Sequence, residues 1–218
     1  MRKSSTSSRR DFLQRSSALG TAALIASALP VAERLMAGTA FAADPSLDDA
    51  TLQAFADTVI PGRKAAKTDL GDPIHPKAIA GVDPDPGAVE ADALRLYHDG
   101  LIGFDALEPA FLTDLTARSL PHGGAFLDLS YDRRVLAVLS GFDSANPSRV
   151  LYEAAAAVPF TAFCAAAVHA YGNNGNASGY KVMGYPGGGP NDAPVMYPYS
   201  FSYRRELARE RTKKGYLP

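Results

Sequence analysis

The feature that most constrains this chain is a run of apolar residues with no polar face. Asn146-Pro147 gives a helix start, a capping side chain followed by proline at the first helical position. From there to Tyr171 the sequence offers Val150, Leu151, Ala154, Ala155, Val158, Phe160, Phe163, Cys164 and Val168. A helix that is apolar all round has to be surrounded. Its alanines let neighbouring helices approach closely, and Pro159 predicts a kink. No stretch alternates with a period of two, and no segment repeats. The fold class expected is therefore all-α: an irregular helical bundle around this central helix, with long Pro/Gly-rich loops and an extended tyrosine-rich C-terminal tail.

Other helices are predicted from apolar periodicity. One begins at Ser46, read as an N-cap with Asp49 three residues on, and carries Leu52, Phe55, Ala56, Val59 and Ile60 on one face before Pro61-Gly62 stops it. Residues 63–86 read as a rigid, solvated, proline-rich loop. Asp83, Asp85, Glu90 and Asp92 do not make an EF-hand, because Gly87 is misplaced for one. They read as loop residues and as the acidic first turn of a helix over residues 88–101, with Val89, Ala93, Leu96, Tyr97 and Leu101 inward. Further helices are expected over residues 106–120 (Leu107, Ala110, Phe111, Leu115) and 131–142 (Val135, Leu136, Val138, Leu139, Phe142), with Phe126 and Leu129 as plugs between them.

Charge is unevenly placed although the net charge is −1. Residues 1–42 are basic, and the remainder carries the acidic surplus. An acidic mature chain argues against nucleic acid as a partner. Within the basic head, Ser8-Arg9-Arg10-Asp11-Phe12-Leu13-Gln14 resembles the twin-arginine export pattern, departing only at Gln14. The apolar run over residues 18–29 is too short for a membrane anchor, so no permanent span is expected. Ala40-Phe41-Ala42 is a small-x-small cleavage site. The chain divides into a signal peptide over residues 1–42, a helical domain over 43–186 and an interface tail over 187–218 that ends in a short basic helix. The expected location is periplasmic, cell-surface or extracellular, reached by the twin-arginine translocase, which carries folded cargo.

Residues 171–188 are dense in Gly and Asn, which suit turns. Seven of the ten tyrosines lie from Tyr171 onward. Tyr, Met and Arg are enriched at protein interfaces, which makes Tyr180, Lys181, Met183, Tyr185, Pro186, Tyr197, Tyr199, Phe201 and Tyr203 the candidate interface residues. The tail either wraps its own domain or meets a partner; both readings stand.

Chemistry is sparse. A single cysteine, Cys164, excludes an internal disulfide and a thiolate metal cluster, and it reads as a buried structural thiol. His75, His98, His122 and His169 show no metal-ligand spacing, and His169 reads as a hydrogen-bonded core residue. No G-x-S-x-G elbow, Walker loop or dinucleotide fingerprint occurs. Asp57 and Glu90 are a conceivable acid–base pair with no pattern behind them. No catalytic, metal-binding or cofactor-binding residue is assigned.

Three stretches carry a family resemblance: residues 52–62, residues 97–129 including Gly124-Ala125-Phe126-Leu127-Asp128-Leu129, and residues 171–187. With the twin-arginine leader they resemble the gluconate 2-dehydrogenase subunit 3 family. The chain is also similar to an uncharacterised actinobacterial group related to that family, through residues 75–82 and the ending at residues 203–205 and 215–218. The family's end pattern is matched by Gly175, Gly179, Lys181, Gly184, Tyr185, Pro186 and Gly187. The resemblance implies a non-catalytic accessory subunit without its own cofactor. Its implied partner is a large FAD-containing dehydrogenase of the GMC type, often with a cytochrome c subunit, whose maturation and export it supports. The longer loop over residues 63–86 and the tyrosine-basic tail depart from better-known members. The competing readings are a freestanding exported enzyme with a dispersed metal or acid–base site, and a secreted protein-binding module.

Overall fold

A computed structural model describes residues 9–37, 44–68 and 71–164, without the side chains of residues 9–19, 163 and 164. Among them are six α-helices and no strand: α1 (Arg9–Met36), α2 (Pro45–Val59), α3 (Ala93–Tyr97), α4 (Glu108–Ser119), α5 (Tyr131–Phe142) and α6 (Arg149–Cys164). The all-α expectation holds.

Helix α6 is central, as its composition requires. Leu151, Tyr152, Ala154, Ala155, Val158 and Ala162 are all buried, although Phe160 is exposed. It contains Pro159 and begins at Arg149 instead of at Pro147. Asn146 still acts as a start signal, its Oδ1 accepting the Ser148 N–H at 2.9 Å. Around Tyr152 an aromatic cluster forms from edge-to-face contacts: Phe55–Phe111 at 4.8 Å, Phe111–Tyr152 at 5.3 Å and Phe142–Tyr152 at 5.9 Å between ring centroids. Each such ring stabilises the fold by roughly 1.5–3 kcal/mol through burial. The polar end of the cluster is satisfied as well. Tyr152 Oη donates to Asp114 Oδ2 at 2.9 Å, and Arg118 Nε donates to the same oxygen at 2.6 Å while Nη1 reaches the Ser140 carbonyl at 2.9 Å. These bonds tie α4, α5 and α6 together.

Helix α4 buries Ala110, Phe111 and Leu115, and Leu107 just before it, as the periodicity predicts. Phe126 and Leu129 are buried plugs, on a 3-10 turn (Phe126–Asp128) and just after it. Helix α5 has the predicted bounds but a different inner face. Arg134, Ala137, Val138 and Gly141 point in, whereas Leu136 and Leu139 are 51% and 58% exposed. Two contacts fix that rotation. The Arg134 guanidinium donates to the carbonyls of Lys77, Ala78, Phe126 and Leu127. The Tyr152 ring lies on Gly141, where a Cβ would fall 2.2 Å from a ring carbon.

Three further expectations give way. The cap of α2 is Asp44, with Pro45 opening the helix; Ser46 donates its hydroxyl to Asp44 Oδ1 at 2.9 Å and does not cap. The helix expected over residues 88–101 shrinks to α3. Asp92 sits in the left-handed region at φ 59° and breaks it, so that residues 88–92 form turns. Glu90 and Asp92 are buried, not a solvated acidic turn, and Leu101 is exposed. The loop over residues 63–86 is only partly solvated, since Ile74, Ala78 and Ile79 reach the core.

Helix α1 packs chiefly along α6. Ile25, Ala28 and Ala32 join the common core, and Thr21 Oγ1 meets Thr161 Oγ1 at 2.8 Å. No helix among the described residues is long and apolar enough to cross a membrane.

Candidate functional site

Two groups of charged residues stand out, and they are built differently. The first is buried. Asp57, on the last turn of α2, accepts the Gly62 N–H at 3.3 Å on Oδ1 and the Ala80 N–H on Oδ2. Glu90 Oε2 accepts the Gly87 N–H at 2.8 Å, and Oε1 has no hydrogen-bond partner. Here the backbone of residue 62 lies on that of residue 87; a Cβ on Gly62 would fall 2.3 Å from the Gly87 nitrogen. Burial pushes the Asp57 carboxyl up to about 6 against its two N–H bonds, with the Glu90 charge adding to the rise and Arg134 opposing it. Neither carboxylate lines the two clefts described below, so the arrangement serves the loop: it pins residues 62, 80 and 87 around the end of α2. An acid–base pair needs an approach for substrate, and neither of those clefts reaches Asp57 or Glu90.

The second group is at the surface. His98, just past α3, is gripped on both ring nitrogens. Nε2 lies 2.9 Å from Asp49 Oδ1 of α2, and Nδ1 lies 3.0 Å from Asp105 Oδ1 of a 3-10 turn (Phe104–Ala106). Glu108 Oε2, on the first residue of α4, is 4.0 Å from Nδ1. Burial alone would push the imidazole down, but the bonds and charges of Asp105, Asp49 and Glu108 outweigh it and hold the ring above its ordinary value. Burial, opposed by His98 and reinforced by Asp105, Asp48 and Asp49, raises the Glu108 carboxyl. A cleft of about 780 Å³ opens beside this group, lined among others by Asp49, Gln53, Asp92, Arg95 and His98. Sequence reading found no pattern here because Asp49 and His98 are 49 residues apart. The spacing of Asp105 and Glu108, three residues apart at a helix start, was the one visible signal.

A third feature is apolar. Leu120, Leu136 and Leu139 are 62%, 51% and 58% exposed. The chain after α4 runs antiparallel to α5: Arg118 reaches the Ser140 carbonyl, and Arg133 lies against Gly123. Leu120 lies on a 3-10 turn (Leu120–His122) that packs against α5. A second cleft, about 450 Å³, lies between the start of α2 and the Phe126–Asp128 turn and includes Leu47, Thr51, His75, Lys77 and Leu127.

All nine interface residues expected from the sequence, from Tyr180 to Tyr203, lie outside the described residues, as do Ala40 and Ala42, Cys164 as a side chain, and His169. Arg9, Arg10, Phe12 and Leu13 fall within α1, with their backbone alone described.

The comparisons with known proteins decide the family. A family of unknown function, DUF5987, matches residues 46–215, more than three-quarters of the chain. The chain belongs to DUF5987. The match covers α2 to α6 and most of the tail, and it leaves α1 outside. No curated protein and no solved structure matches the chain. Membership of DUF5987 carries no activity with it, so the functional reading rests on this chain's own residues.

Proposed function

We propose that this DUF5987 protein is a non-catalytic accessory subunit, exported by the twin-arginine route, that supports the maturation and export of a large FAD-dependent dehydrogenase of the GMC type. In the family the chain resembles, a cytochrome c subunit often joins that enzyme. The supporting sequence features are the Arg9-Arg10 leader pattern and the likeness of residues 52–62, 97–129 and 171–187 to gluconate 2-dehydrogenase subunit 3. The structural observation that carries the reading is the leucine face. An exposed apolar patch favours a protein contact; Leu136 and Leu139 share one face of α5, and Leu120 is exposed on the turn that packs against α5. The tail residues Tyr180, Lys181, Met183, Tyr185, Pro186, Tyr197, Tyr199, Phe201 and Tyr203 would extend that contact.

The test is co-purification of the tagged chain from its native host, read by mass spectrometry and flavin absorbance. A stoichiometric yellow partner that is lost in Leu136→Asp/Leu139→Asp is expected. A colourless chain without a large partner would overturn the reading. The rival reading, an exported enzyme with a dispersed site, has one observation in its favour, the His98 cluster beside its cleft.

A further inference from the structure

We propose that His98, Asp105 and Glu108 bind one divalent transition-metal ion, with Asp49 holding the imidazole from behind. The inference is independent of the accessory-subunit reading. One ligand atom from each of the three residues lies within 4.8 Å of the others. Metal–ligand bonds of about 2.0–2.2 Å in a tetrahedral site place neighbouring ligand atoms roughly 3.3–3.5 Å apart. The observed spacings of 3.0 Å to Asp105 and 4.0 Å to Glu108 from His98 Nδ1 bracket that value. Side-chain rotation of these partly exposed groups closes the remaining gap.

The opposite side of the ring supports the assignment. A ligating histidine almost always donates its second N–H to a carboxylate, carbonyl or water, which fixes the ring and its tautomer. Asp49 Oδ1 stands 2.9 Å from Nε2, where that partner belongs. Four separate segments thus converge on one imidazole: α2, the end of α3, the Phe104–Ala106 turn and α4. A simple ion-pair explanation accounts for Asp49 and Asp105, which hydrogen-bond the ring. It leaves Glu108, only 17% exposed, beyond hydrogen-bond distance of it.

Gln53, one turn after Asp49 on α2, is 5% exposed and lines the cleft on the Asp49 side of the ring, which Asp105 and Glu108 do not line. One imidazole with two carboxylates suits zinc, manganese or iron; calcium and magnesium favour all-oxygen sets.

Calorimetric titration of the purified full chain with zinc, and separately with calcium, tests the proposal. One zinc per chain is expected, bound more tightly than calcium. Asp105→Asn and Glu108→Gln should each weaken zinc by more than tenfold, and Asp49→Asn by about 10- to 100-fold through the orienting bond. His98→Gln should abolish binding, with circular dichroism confirming that the helices remain. If His98→Gln fails to fold, Asp105→Asn and Glu108→Gln decide the question. Absence of saturable zinc binding, affinity unchanged in Glu108→Gln, or equal affinity for calcium, as for an acidic surface that gathers any cation, would overturn the assignment.

Discussion

The Asp57–Glu90–Arg134 region and the His98 cluster contain the same kinds of side chain and do opposite things with them. Around Asp57 and Arg134, charged groups are spent on main-chain atoms: N–H groups of residues 62, 80 and 87 and carbonyls of residues 77, 78, 126 and 127. Around His98, each partner is another side chain, those of Asp49 and Asp105 exposed and that of Glu108 half-buried. A charge bound to backbone fixes a loop. A charge bound to side chains can exchange those partners for an ion.

That contrast can be broken or sharpened by substitution. The largest effect is expected at Arg134. Arg134→Ala strands four carbonyls and should cost about 3–5 kcal/mol, as breaking a buried charged network does. Urea unfolding measures it, and a cost below about 1 kcal/mol would show that Arg134 behaves as a surface charge.

Next comes Asp57. Its folded value near 6 lies above the model-compound value of 3.8, so the folded chain holds this proton more tightly than the unfolded chain. The stability it contributes is fully present below about 3.8 and is lost as pH rises through about 6. The loss is on the order of 3 kcal/mol. Unfolding of the wild type and of Asp57→Asn, compared across that window, should show the wild type losing ground as pH rises. Parallel curves would remove Asp57 from the account.

His98→Gln should cost no more than about 1 kcal/mol in the absence of metal, the range for exposed ion pairs. A larger loss in thermal unfolding would make the cluster architectural and erase the contrast. The smallest effect on stability belongs to Leu136→Asp/Leu139→Asp, within about 0.5 kcal/mol per substitution as for other surface changes, even as partner capture fails.

Much of the fold was legible because apolar periodicity reports burial. The surrounded character of α6, the bounds of α5 and the inner face of α4 all follow from it. Periodicity misled at α5, where Leu136 and Leu139 look like core and Arg134 and Gly141 do not. The inner face there is set by carbonyls from distant loops and by the Tyr152 ring, neither of which a local window contains. The helix expected over residues 88–101 failed at Asp92, whose left-handed backbone breaks a sound apolar pattern. The His98 cluster was illegible for a simpler reason: its members come from four segments, and only folding brings them together.

The packing of α1 on α6 has a consequence for any cut that would separate them. Ile25, Ala28 and Ala32 complete the core against a helix that needs cover on every side. A cut after Ala42 would free that helix to leave, and the newly bared side of α6 would be oily. The whole and the cut chain would then differ in stickiness as well as in length.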